Sequence, residues 1–296
     1  MKSEFFFSLM TRRVCIVFFV LMIALTSLQA VDQIISISDT VYSSSGETVI
    51  EIALEAIEAG GADGNGVVID SGADVAFIAG ERVSLKPGFS VNPGASFTAT
   101  TSKLSGQTIN EDTDWSGVRY LGGTTVVSSG ADLYIDTDCI LYFLPGAALE
   151  VEGDLIVGEG VRLTSTYGSG NGSTDDFWKG IVITSGTALL NKCLIEYALQ
   201  GILVDGSTNT VHIQGVTFHQ NLIGLHILNF ASVPIVDYSL FDSNIWYGIK
   251  EDSTGDASVT NTRFLNNGIL YYELSQTILS IDELNNQSGN SGNTEG

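Results

Sequence analysis

Three histidines stand seven residues apart, at His212, His219 and His226. Imidazole is the side chain best suited to moving protons near neutral pH, so the spacing invites a search for partners. Asp205 follows the apolar pair Gly201-Ile202, and Glu251 with Asp252 follows Gly248-Ile249, so carboxylates recur after similar segments. A double aspartate, Asp175-Asp176, sits in the Gly- and Ser-rich run GSGNGSTDDF, where a solvent-facing loop is expected, with a calcium-binding tip as the alternative. Cys139 and Cys193 show no metal-ligand spacing. Aromatic pairs occur at Trp246-Tyr247 and Tyr271-Tyr272, and stacked aromatics can receive the faces of sugar rings.

What these groups can do depends on the elements that carry them. Ile195, Phe218, Phe241 and Phe264 follow one another at intervals of 23 residues. Three positions after the phenylalanines lie Asn221, Asn244 and Asn267, and Gly201-Ile202, Gly224-Leu225 and Gly248-Ile249 recur alongside. A period near 23 with three short strands per turn marks a β-solenoid, whose coils stack about 4.8 Å apart. Phe218, Phe241 and Phe264 are expected to stack inside. Asn221, Asn244 and Asn267 are expected to form an amide ladder at a turn, in the left-handed geometry that asparagine tolerates.

The repeat then sorts the chemistry. A spacing of seven places the histidines on successive strands or turns of one coil, so they do not converge. Asp205 and Asp252 share a position two coils apart, about 9–10 Å by the coil spacing, at the far end of the range for inverting hydrolases. They read as solvated turn carboxylates, with Glu251 as a neighbour. Trp246 and Tyr247 precede Tyr271 and Tyr272 by one coil, either capping the open end or forming a sugar platform. The cysteines are 54 residues apart, which is no whole number of repeats, so two free buried thiols are expected.

The pattern resembles the right-handed parallel β-helix superfamily, to which pectate lyases and many non-enzymatic surface proteins belong. Trp178-Lys179-Gly180-Ile181-Val182-Ile183 also resembles a coil start common in bacterial domains of this kind. The resemblance implies fold far more than function. It implies calcium-binding acids with a basic residue in lyases, and Asp clusters with His and Arg-x-Lys in polygalacturonases. Asn-Thr-Asp, Gly-His-Gly and Arg-x-Lys are all missing from this chain.

Upstream, Val75–Phe77, Val83–Leu85, Phe89–Val91 and Phe97–Ala99 are short apolar-polar runs divided by Gly- or Pro-bearing turns. The run Ala79-Gly80, Val83, Leu85, Pro87-Gly88-Phe89, Gly94-Ala95 and Phe97 resembles the three-coathanger stack domain of bacterial secreted proteins, which implies a non-catalytic accessory module. Val49 to Ala59 reads as strand. The expected organisation is a leader at 1–30, a β-stack module at 31–101, a connector at 102–113, a β-helix at 114–282 and a disordered tail at 283–296.

The leader reads as a secretory signal: Lys2, Arg12 and Arg13 precede the apolar run Val14 to Leu25, with small residues up to Ala30. Its removal takes Lys2, Arg12, Arg13 and Glu4 with it, moving the formal charge from −22 to −24. Such a surface repels nucleic acid and anionic membranes, and it leaves neutral ligands, cations or basic partners open. The expected protein is exported and all-β, a structural or binding protein of the cell surface or extracellular space. No cofactor, metal or catalytic residue is expected, and the expected partner is a neutral polysaccharide or a surface component. The alternative is a polysaccharide hydrolase or lyase on the same scaffold.

Overall fold

The computed structural model describes residues 34–38, 40–43, 48–61, 66–168, 174–230, 232–252, 257–273, 278–286 and 290–296. The expected leader lies outside them. Parallel sheets form a β-solenoid of about nine turns, as the repeat requires.

The first nine strands make three parallel sheets of three strands. One joins Ile34–Ile37, Ala56–Ala59 and Arg82–Leu85, another Thr40–Tyr42, Val67–Ile69 and Phe89–Val91, and the last Thr48–Ala53, Asp74–Ala79 and Ser96–Thr101. The short runs expected as strands all fall within these. Val49 to Ala59 is two strands, because Leu54 and Glu55 turn the chain between sheets. Phe77 is the hub, with Tyr42, Phe89 and Phe97 edge-on to it at 6.1, 6.1 and 5.1 Å. Alternation along Asp74–Ala79 sends Val75, Phe77 and Ala79 into this core and Ile78 the opposite way. Ile78 joins Ile52, Leu104 and Leu144 in a second apolar cluster, so that strand is buried on both faces.

A 14-stranded and an 8-stranded sheet build the remainder. The larger one contains two ladders, joined because Gly180–Asn191 and Gln200–Gln214 run through both. The first ladder begins at Gln107–Ile109. The expected connector 102–113 is therefore the start of a coil. Its Ser and Thr residues disguised this, although Leu104 and Ile109 are buried.

The tail also departs from expectation. Ile281–Asn286 is a short helix that buries Leu284, and Thr294–Glu295 pairs with Arg263–Leu265 as the last rung of the 8-stranded sheet. Asn290 and Asn293 are buried, and their amide oxygens accept from Val259 N and Thr262 N at 2.6 and 2.9 Å. An open coil leaves its backbone groups unpaired, and polar Asn-rich sequence supplies the partners. Low complexity here is a capping device.

Inside, Phe218, Phe241 and Phe264 stack with centroids 4.6 and 5.2 Å apart and planes within 10°. The glycine repeat follows from this stack. A Cβ on Gly224 would lie 2.6 Å from Gly248 O and 2.8 Å from Phe241 Cδ1. The asparagines form the expected ladder. Asn221 Nδ2 donates to Asn244 Oδ1 at 3.1 Å, and Asn244 Nδ2 to Asn267 Oδ1 at 2.8 Å. The same oxygens accept the backbone N–H of Asn221 and of Asn244, at 3.1 and 3.0 Å. The left-handed residues are not the asparagines but their predecessors Gln220, Ser243 and Asn266, with φ of 51, 57 and 51°. The turn needs one left-handed residue, and the asparagine after it must aim its amide along the axis.

Cys139 and Cys193 are free and buried. The reason is not a mismatch of repeat. Arg162 N donates to Cys139 O, Leu194 N to Val161 O and Thr217 N to Cys193 O, so both cysteines occupy one column with Val161 between them. Two coils, about 9–10 Å, exceed what a disulfide spans. The coil from Arg162 to Leu194 is lengthened by its Gly- and Ser-rich segment, which hid the equivalence. Burial pushes the Cys193 thiol up to about 12.

Candidate functional site

Val182, Leu203, His226, Lys250 and Tyr272 stand in register on the outer side of the first ladder. Their strands alternate, so Leu225 and Ile227, Ile249 and Glu251, and Tyr271 point inward and are buried. The last three coils thus deliver an imidazole, an ammonium and a phenol to one column. Asp252 follows the Lys250 strand and reaches back along the column. Its Oδ2 lies 2.9 Å from His226 Nε2 and also takes the ammonium of Lys250. Gln200 Nε2 lies 3.0 Å from His226 Nδ1, which fixes the imidazole from its other side.

These contacts set the protonation states. Burial lowers the His226 pKa below its ordinary value, the positive charge of Lys250 adds to this, and Asp252 opposes it. Burial thus favours the neutral ring, and with Gln200 at Nδ1 the Nε2 atom faces Asp252 and, at 3.4 Å, the Lys250 ammonium. Burial works against the Asp252 carboxylate, but the hydrogen bonds from Lys250 and His226 prevail and hold it below the usual range. The group is an internally compensated triad.

Aromatic rings border it. Tyr247 and Tyr272 are 5.5 Å apart with planes at 58°, both partly exposed. Burial, then Tyr272 and Asp252, raise the Tyr247 pKa, so it stays a neutral hydroxyl. Trp246, next to Tyr247, is 36% exposed. On the same side Asp205 is exposed and accepts from Asn229 Nδ2 at 2.7 Å.

The structure gathers some of the anticipated residues and separates others. Asp205 and Asp252 do follow equivalent positions, since Val204 and Glu251 both pair with Ile227. Glu251 cannot work with them, because it is buried and bonded to the Tyr271 hydroxyl inside the solenoid. Tyr271 therefore leaves the proposed platform: it stacks on Ile249 and closes the core. A two-residue period decides this, since neighbours in a strand face opposite ways. The three histidines lie on three different ladders, with His212 opposite Ile235, His219 opposite Asp242 and His226 opposite Lys250. Asp175 and Asp176 belong to a short 3-10 turn, and residues 169–173 of that run lie outside the described set. Among the described residues, no group of three or more His, Cys, Asp or Glu is placed to hold a metal ion.

Sequence reasoning missed the partnership of His226 with Lys250, Asp252 and Gln200. His226 and Lys250 are 24 residues apart, one more than the Phe spacing. Counting from the glycines would have found them, since each lies two after its own, at Gly224 and Gly248. Comparison with known proteins finds no family model, curated protein or solved structure that matches the chain.

Proposed function

We propose that this is an exported, non-enzymatic solenoid that binds a neutral glycan on the outer face of its last three coils. The observation that carries the reading is the Tyr247–Tyr272 pair beside the compensated His226–Lys250–Asp252 triad. Apolar faces of sugar rings pack on aromatic rings, and their hydroxyls bond carboxylates and amides such as Asp205, Asn229 and Asp252. Because Lys250 is already satisfied, the patch gives an anionic sugar no unclaimed cation. Export is supported by the leader pattern from Lys2 to Ala30. Among the described residues no helix is long and apolar enough to cross a membrane. We place the larger solenoid with right-handed parallel β-helices of the pectate-lyase-like kind, since parallel crossovers are right-handed in about 98% of cases. The coils at 34–101 are read as a coathanger-like accessory stack, on the strength of the Pro87-Gly88-Phe89 run.

One observation favours the enzymatic alternative: His226 is oriented by Asp252, as a general base is. Two others oppose it. Both imidazole nitrogens are occupied and the ring is buried, and Glu251, which could have completed a carboxylate pair, points inward. The test is a glycan array probed with protein lacking residues 1–30, followed by Tyr272→Ala and Asp205→Asn. Retention on a neutral glycan that both variants weaken supports the reading. No retention on any neutral glycan, or retention that both variants leave intact, refutes it.

A further inference from the structure

The outer face of the second ladder carries a different surface. In register along it stand Tyr134, Ile156, Leu189, His212 and Ile235. Tyr134, Leu189 and Ile235 are 38, 41 and 38% exposed, so an apolar stripe lies open where a sheet normally shows polar groups. Beside it is a cavity of about 300 Å³ lined by Asp132, Glu152 and Asp154 with Ser185, Gly186 and Thr208. Asp132 and Asp154 sit two residues before Tyr134 and Ile156 in the same strands. On the other flank Asp136 lies two residues after Tyr134, and Asp237 two after Ile235. Along the first of these strands the face runs acid, apolar, acid, at Asp132, Tyr134 and Asp136, and Asp154 extends the first acid to the next coil.

We propose that this face docks a cationic, extended segment of another polypeptide. Residues i and i+2 of an extended chain are about 6.6–7 Å apart on one side, the same interval that separates outward neighbours in these strands. A Lys-x-Val-x-Lys segment lying along a coil sets one ammonium over the Asp132–Asp154 cavity. Its valine meets the stripe at Tyr134, and its second ammonium meets Asp136. Among the described residues no basic side chain pairs with Asp132, Glu152 or Asp154. A second copy of this chain, at a formal charge of −22, would be repelled. The inference is independent of the glycan site, which lies on another ladder.

The test uses a fluorescent peptide of four Lys-Ser-Val-Ser repeats and a control in which serine replaces each valine. The whole chain lacking only residues 1–30 should bind the valine peptide about tenfold more tightly, the return from covering half-open apolar side chains. Tyr134→Ser with Leu189→Ser should erase that preference, while Asp132→Asn with Asp154→Asn should weaken both peptides. All four positions are on the outer face, and matched thermal melts establish that the variants are folded. If the double serine variant melts early, Leu189→Lys alone serves and should lower both affinities. Equal binding of the two peptides, or a preference that survives loss of the stripe, overturns the proposal.

Discussion

The two ends of the molecule solve one problem with different side chains. In the coils at 34–101 the turns rest on glycines with left-handed φ, including Gly72, Gly88 and Gly94, and the core gathers around Phe77. In the coils from 194 to 272 the left-handed sites among the described residues are Tyr197, Gln220, Tyr238, Ser243, Asn261 and Asn266 alongside Gly215, and side-chain amides add to the main-chain bonds between coils. A glycine turn bonds the next coil through main chain alone, as Gly72 N does to Gly94 O at 2.9 Å. An amide ladder works only if each coil repeats the asparagine at the same place, because each oxygen serves the N–H groups of the coil before it. Ladders therefore impose identity through side-chain bonds between coils, whereas the paired turns at Gly72 and Gly94 impose it through backbone conformation.

The largest break in this contrast is expected from the Phe stack. Phe241→Ala should cost about 3–5 kcal/mol in denaturant melts, since both neighbours lose a face and the cavity is sealed by coils above and below. Phe89→Ala, at the partly exposed last coil of the smaller stack, should cost clearly less. Equal losses would mean that the stack has no special standing.

Next comes the ladder. Asn244→Ala removes the acceptor for Asn221 N and Nδ2 and the donor to Phe218 O, all buried. The expected cost is about 1–3 kcal/mol, above that of Asn267→Ala, whose side chain is partly exposed. A loss under roughly half a kcal/mol in chemical denaturation would reduce these residues to ordinary turn asparagines.

Acid should give the smallest effect. His226 has a lowered pKa when folded, so the folded state binds fewer protons than the unfolded chain. Its stabilising contribution is complete above the ordinary histidine value near 6.5 and fades as pH falls through the folded value. Asp252 has the same sign, with its contribution lost only below about 4. Melting temperature should therefore decline from about pH 6.5 downward, and His226→Gln should flatten the upper part of that decline. An identical profile in the variant would show that the triad does not hold a neutral imidazole.

Legibility follows the same division. The Phe, Asn and Gly positions could be read because three coils repeat them at close to 23 residues. Residues 102–113 and 283–296 looked like connector and frayed end because their inward residues are few and their polar ones serve neighbouring backbone. The site was half legible. Asp205, Asp252, Tyr247, Tyr272 and Trp246 share the anticipated region, but His226 and Lys250 were hidden by a coil one residue longer than its neighbour. Tyr271 was misjudged because adjacent aromatics were treated as a pair, although a strand turns one of them inward.

In the proposed role, the His226–Lys250–Asp252 face holds a glycan and does not cut it. The most direct measurement follows retention and turnover together on the glycan that the protein binds, with and without calcium, scoring new reducing ends and unsaturated-uronate absorbance. Lasting retention is expected, weakened by Tyr272→Ala, with no new ends above a protein-free control. Turnover that disappears in His226→Ala or Asp252→Asn would contradict it and make the compensated triad a catalytic centre.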